Sequence, residues 1–295
     1  MKNVSEIHVR ENSGEEMLDG MAPDFPYIST RALLDRYSVL WHWHKAVELF
    51  YMESGSLEYE TPQGKHAFPT GSGGLVNTGI LHRTCPLSSN APTIQKLHIF
   101  DASLLYGDVG GRIYQKYFAP ILTGGGVEII PLLPDEPEQV KLLELLRDSF
   151  SLDENEIGYE LRLRTILSDI WLGLAGLNHS TDISSKLPDE KIKAMMLFIH
   201  ESYPYSVKIS DIAAAGFVSE RECYRAFQAT LHTSPGEYLR MCRLQIACKM
   251  LRETDKSITY ISQSCGFGSS SFFGKAFLAH FGTTPTEYRR SCSTS

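Results

Sequence analysis

The sequence predicts an α+β chain in three consecutive parts: a β-barrel or sandwich, a helical hairpin and an all-α C-terminal region. Three observations carry this. Between about residues 37 and 100, apolar residues alternate in short runs broken by turn residues. From Pro137 onward they recur at helical spacing. After residue 188 the chain holds two related copies of one helical unit, offset by 50 residues.

A chain of 295 residues, 42% hydrophobic and 21% charged, can bury more than one core and is not a disordered segment. No apolar run nears the roughly 18 residues that span a bilayer. The start, MKNVSEIHVRENSGEEMLDG, lacks the apolar stretch of an export signal. A cytoplasmic protein without a membrane partner is therefore expected. Its six cysteines form no C-x-x-C pair and are expected to stay reduced, as small core fillers. The net charge of −7 is uneven. Residues 1–187 carry 15 Lys and Arg against 25 Asp and Glu, whereas 188–295 carry 13 against 10. Only the tail suits an acidic partner.

Taken in order, YSVLWHW, AVELFYME, SLEYETP, LVNTG and TIQKLHIF read as strands separated by SGS, PQGK, TGSGG and LSSNAP. Gly71–Gly74 resembles a phosphate loop only superficially, because no Lys-Ser/Thr follows it, and it is read as a barrel turn. Asp24, His66 and His98 show no partner pattern. Val140, Leu143, Leu146 and Phe150 mark one helix, and Ile157, Leu161, Ile166, Ile170 and Leu174 a second. Such a hairpin must bury its stripe, either on the barrel or against a second copy of the chain, and the dimer is the expectation. Residues 179–188, polar and Ser-rich, are the linker.

In the repeat, Gly216-Phe217 matches Gly266-Phe267, and Ser219 matches Ser269. Ala226-Phe227 matches Ala276-Phe277, and Pro235 with Glu237-Tyr238 matches Pro285 with Glu287-Tyr288. Each unit reads as a short helix, a glycine-bearing turn, a Ser-capped helix, then Ser/Thr-Pro opening another helix. That is a helix-turn-helix layout. YLRMCRLQIACKML between the units suits one connecting helix. Two reading helices held apart in this way could enter adjacent major-groove faces, about 34 Å apart.

The segment GFGSSSFFGKAFLAHFGTTPTEYRR resembles the signature of the AraC/XylS family of bacterial transcription regulators, and ISDIAAAGFVSERECYRAFQATLHTSPGEYL resembles the first of that family's two helix-turn-helix units. The resemblance implies double-stranded DNA as partner, with RNA polymerase and a second copy of the chain. It implies DNA contacts at Ser219, Arg221, Tyr224 and Arg225 in the first unit, and at Ser269, Ser270, Ser271, Gly274 and Lys275 in the second. Cys223, Phe227, Phe273 and Phe277 are expected inside. The sequence departs from the family at Gln228 and Leu278, where lysine is common, and at Gly274, which removes a side chain. Weaker phosphate attraction and thinner base readout by the second unit follow.

Trp41-His42-Trp43-His44-Lys45-Ala46-Val47-Glu48 is the densest cluster of potential ligands. His42 and His44 share strand parity. Glu48 lies roughly 13 Å on along a straight strand, so it joins them only if the chain bends between Lys45 and Val47. The spacing from His42 through Glu48 to Gly55 resembles the first motif of the cupin barrels. Gly71 through Asn77 and Gly79 to His82 resembles the second, with Asn77 where proline is usual and Pro86 in place of the closing Asn. Two occupants fit. The resemblance implies a metal set of His42, His44, Glu48 and His82, suited to zinc, iron, manganese or nickel. The resemblance to AraC-type regulators instead implies a small organic effector, often a sugar, held by Trp41, His42, His44, Glu48 and His82 without a catalytic metal.

The expected architecture is a cupin-like effector-binding domain over 1–135, a dimerisation hairpin over 136–178, the linker, and a double helix-turn-helix DNA-binding domain over 189–295. The expected function is a transcription regulator, not an enzyme, whose front domain senses a small molecule. The rival is a metal-dependent cupin enzyme with an appended DNA-binding domain.

Overall fold

The computed structural model of the chain describes residues 2–4, 21–34, 39–87, 92–123, 127–178 and 190–293; the expected linker, 179–188, lies outside them. Residues 21–178 and 190–293 fall in two different compact units.

The first unit contains β1 (Lys2–Val4), β2 (Tyr27–Leu33), β3 (Val39–His42), β4 (Val47–Ser54), β5 (Ser56–Thr61), β6 (Gly64–Pro69), β7 (Gly73–Val76), β8 (His82–Pro86), β9 (Ile94–Phe100) and β10 (Ile129–Leu132). One sheet runs β1-β2-β9-β4-β7-β10 and the other β3-β8-β5-β6. Pairing is antiparallel except between β1 and β2. The two sheets share a core that includes Phe50, Leu57, Tyr59, Phe68, Val76, Leu97 and Ile99. Phe50 stacks on Tyr59 at 4.4 Å and meets Phe68 edge-on at 4.7 Å.

Strands β1, β2, β6, β8 and β10 go beyond those the alternation predicts. β6 shows why: Lys65, Ala67 and Pro69 face solvent, and only Phe68 is buried. A strand that gives one side chain to the core carries almost no hydrophobic period. The Gly71–Gly74 stretch is a turn only in its first half, since Gly73 and Gly74 open β7.

Helices cover the outer face of the larger sheet: α1 (Ser103–Tyr106), a π-helical turn (Tyr114–Phe118) running into α2 (Ala119–Leu122), then α3 (Pro137–Ser149) and α4 (Tyr159–Asn178). Leu143, Leu146, Leu163, Leu167, Ile170, Trp171 and Leu174 pack with Val47, Leu49, Leu75 and Phe100 of the sheet. The hairpin stripe is thus buried within the chain, not kept for a second copy. The stripe holds over the second half of α4, where Ile170 and Leu174 are buried as expected, and shifts only at its start. Ile157 precedes the helix and is 97% exposed, and Leu161 is 71% exposed, while Leu163 and Leu167 are buried. Apolar residues occur on several faces of LRLRTILSDIWLGLAGL, so its period does not select one. Gly73 lets α3 approach the sheet: a Cβ there would lie 2.9 Å from Leu146 Cδ2 and 2.5 Å from the Phe50 carbonyl oxygen.

The second unit is helical: α5 (Glu190–Ser202), α6 (Ile209–Ala215), α7 (Glu220–Leu231), α8 (Pro235–Glu253), α9 (Ile258–Ser264), α10 (Ser270–Phe281) and α11 (Pro285–Ser293). Ser219, Ser234 and Ser269 cap α7, α8 and α10 through the backbone N–H three residues on. Pro235 occupies the first turn of α8, where its missing N–H costs nothing. Cys223, Phe227, Phe273 and Phe277 are buried as expected, as are Cys242, Cys248 and Cys265. Burial pushes the thiols of Cys242 and Cys265 up to about 12, so they are inert fillers.

The repeat breaks at the turns. In the second, Gly266 takes the left-handed conformation, φ +74°. In the first the left-handed residue is Phe217, φ 54°, one position later in the repeat. Val218 N–H bonds Ala213 O, and Phe267 N–H bonds Ser262 O, an offset of 49 in place of 50. Phe217 is consequently 95% exposed, whereas Phe267 is buried.

Candidate functional site

The four expected ligands come together from both sheets. His42 on β3 and His82 on β8 are register partners in the smaller sheet. After His42 the chain leaves that sheet, bends at Lys45 and Ala46, and enters the larger sheet at Val47. This is the bend that Glu48 needs, and it turns the carboxylate back over the histidines. The ligand nitrogens of His42, His44 and His82 lie within 4.8 Å of one another. Glu48 Oε2 stands 3.3 Å from His44 Nε2 and 3.8 Å from His82 Nε2. All four side chains are buried.

Backbone carbonyls orient two of the rings. His44 Nδ1 lies 2.7 Å from Ala46 O, and His82 Nδ1 lies 2.9 Å from Ile80 O. A carbonyl only accepts, so both Nδ1 atoms carry protons and both Nε2 atoms face the carboxylate. His82 Nε2 is buried without a hydrogen-bond partner. Burial opposes ionisation of Glu48, but the hydrogen bond to His44 and the nearness of His82 hold its carboxyl well below the usual carboxylate range. The inner nitrogens of both rings therefore converge on the carboxylate, the arrangement in which a cation could be held between them. The rings of His44 and His82 have centroids 5.3 Å apart, and one divalent ion would satisfy both inner nitrogens and the carboxylate. The donor set, three imidazoles and a carboxylate, fits a divalent transition metal.

Two supporting residues escaped the sequence reading. The Tyr59 hydroxyl donates to Glu48 Oε1 at 2.6 Å, and Gln95 Nε2 donates to that hydroxyl. SLEYETP reads as a strand, but only the packing of β5 against β4 and β9 gives Tyr59 this partner. Trp41 stands apart. It occupies the opposite parity from His42, and its ring lies 5.7 Å from the Arg83 guanidinium, which neighbours His82 in sequence.

His98 has the partners that its sequence setting did not show. Its Nε2 lies 2.7 Å from Ser149 Oγ and its Nδ1 2.6 Å from the Tyr27 hydroxyl. Ser149 Oγ donates to Leu146 O, so it accepts from Nε2–H, and Nδ1 accepts from Tyr27. Burial lowers the imidazole to about 3, keeping it neutral. The ring stacks on Phe150 at 3.8 Å and joins β9 to the end of α3.

In the second unit, Ser219 and Ser269 are helix caps at the surface. Arg221, Tyr224 and Arg225 are exposed on α7, with Arg225 4.0 Å from Glu222. Ser271 and Lys275 are exposed on α10, and Ser270 and Gly274 half-exposed. Opposite these faces lie Cys223 with Phe227, and Phe273 with Phe277.

Residues 212–291 match the helix-turn-helix domain family model. An uncharacterized HTH-type transcriptional regulator, YdeC of Bacillus subtilis, is 24% identical over 84% of this chain and 85% of its own length. A putative AraC-like transcription regulator of Streptomyces antibioticus is 31% identical over 35% of this chain and 34% of its own. The crystal structure of ToxT from Vibrio cholerae O395 aligns with 91% of this chain and 99% of its own, at 12% identity and a TM-score of 0.48. The named relatives are transcription regulators, which sets the enzyme alternative aside. No helix among the described residues is long and apolar enough to cross a membrane. Residues 212–291 thus carry a helix-turn-helix domain, and the chain is similar to DNA-binding transcription regulators, AraC-like ones among them.

Proposed function

We propose that the first unit is a cupin-like effector domain that holds a divalent transition metal at His42, His44, Glu48 and His82, and that the second reads DNA through two helix-turn-helix units, α6–α7 and α9–α10. One observation carries the metal: two imidazoles whose outer nitrogens are tied to carbonyls aim their inner nitrogens at a buried carboxylate. A metal there would supply a Lewis-acidic anchor for an oxygen-bearing small molecule, the sugar class implied by the resemblance among them. Arg221, Tyr224 and Arg225 read the first half-site. Ser270, Ser271, Gly274 and Lys275 face the second, with Ser219 and Ser269 at the helix starts.

The route from ligand to DNA runs through β4. Glu48 faces the site, while its neighbours Val47 and Leu49 pack among the hairpin helices. A ligand that binds one position of β4 better than another shifts the population of hairpin arrangements. The exposed Ile157, Leu161 and Leu172 at and along α4 suit contact with a second copy, giving a homodimer with two DNA-binding units; RNA polymerase is the further partner.

The test is elemental analysis of the full chain beside His42→Ala and His82→Ala, with operator binding measured with and without metal. About one transition metal per chain, absent from both folded variants, is expected. A folded chain that takes up no zinc, iron, manganese or nickel when each is supplied overturns the metal and leaves an organic pocket.

A further inference from the structure

The outward face of α10 differs in kind from that of α7. The α7 face carries Arg221, Tyr224 and Arg225, whose donors can reach base edges. The exposed side chains of α10 include Ser271, Phe272, Lys275 and Leu278. Phe272 is 55% exposed although the next residue, Phe273, is fully buried. Leu278 is 46% exposed and lies roughly 9 Å further along the helix.

Ser270–Phe281 contains no Arg, Asn or Gln, the side chains that form bidentate pairs with guanine or adenine. Serine bonds donor and acceptor edges alike and discriminates little. Lys275 is a point charge suited to phosphate. What the helix does offer is apolar surface, and the apolar group in the major groove is the C5-methyl of thymine.

We propose that the second helix pair selects thymine by its methyl group, with Phe272 and Leu278 as the reading residues. This rests on the reading that α10 enters the major groove. The half-site of the first pair is then set by hydrogen bonds and that of the second by thymines, so the two halves of the operator differ in composition.

The test begins with full-length protein and a pool of random-sequence duplexes, from which bound sequences are selected. Each thymine of the selected site is then replaced singly by uracil, which removes only the methyl. Affinity should fall about fourfold at one or two positions, the worth of one buried methyl-sized group. Phe272→Ala or Leu278→Ala, checked for folding by circular dichroism, should abolish that uracil effect while leaving effects at other positions unchanged. Indifference to uracil throughout the selected site overturns the proposal, as does a uracil effect that survives in both variants. Failure to enrich any sequence overturns the underlying DNA-reading assignment instead.

Discussion

The two inter-helix turns of the second unit make opposite predictions about a single glycine. In the first turn the left-handed position is filled by Phe217, φ 54° and 95% exposed. A non-glycine residue there costs about 1–2 kcal/mol. Phe217→Gly removes that strain, buries nothing less, and gives back about 0.5–1 kcal/mol through the freer unfolded chain. The expected net effect is a stabilisation of roughly 0.5–1 kcal/mol. In the second turn Gly266 holds φ +74°, and a Cβ there would lie 2.3 Å from Tyr203 O and 3.0 Å from both Pro204 O and Arg243 Nε. Arg243 Nε donates to the same Tyr203 carbonyl, so the methyl group would push into a bonded clamp. Strain of about 1–2 kcal/mol plus overpacking of about 1–3 kcal/mol makes Gly266→Ala a loss of roughly 2–5 kcal/mol. Urea unfolding of the full chain separates the units, because Trp41, Trp43 and Trp171 all belong to the first. Most of the helix that circular dichroism reports belongs to the second. The helical transition should move up for Phe217→Gly and down for Gly266→Ala, with the tryptophan transition fixed. A lowered helical midpoint in Phe217→Gly, or an unmoved one in Gly266→Ala, would refute the shifted register of the two turns.

Other predictions follow from single contacts. His98 is neutral in the folded chain, with its imidazole lowered from 6.5 to about 3 by burial, so the unfolded chain takes up the proton first as pH falls. Stability of the first unit is fully present above 6.5 and drops by roughly 2 kcal/mol between about pH 7 and pH 5; His98→Gln should flatten that slope in tryptophan-monitored unfolding. Tyr59→Phe removes the 2.6 Å hydrogen bond to Glu48 and should weaken metal uptake by about 10–100-fold, read by competition with a chelator. Gly73→Ala drives a methyl group into Leu146 and the Phe50 carbonyl oxygen and should cost about 1–3 kcal/mol in the tryptophan transition. Arg221→Ala should cost about 1–3 kcal/mol at one base pair of the selected operator if the arginine reads guanine. Uniform weakening over all sequences would instead assign it to phosphate.

The sequence by itself determined the features that are local or periodic. Ser-capped helices, Pro at a first turn, buried Phe at helical spacing and the 50-residue repeat are each set by a few consecutive residues, and they placed α7, α8 and α10 and their outward faces. The histidines were legible as well, because strand parity is a local rule. Tertiary structure decided what depends on partners distant in sequence. Glu48 reaches His44 and His82 because the chain changes sheets at Lys45–Ala46, and alternation along one strand cannot report which sheet comes next. Tyr59, Gln95 and His98 acquire their roles only where β5, β9 and α3 meet neighbours that lie 11 to 71 residues away. The start of the second hairpin stripe, Ile157 and Leu161, was misplaced for the same reason: α4 is apolar on several faces, and the sheet beneath it chose which of them to bury.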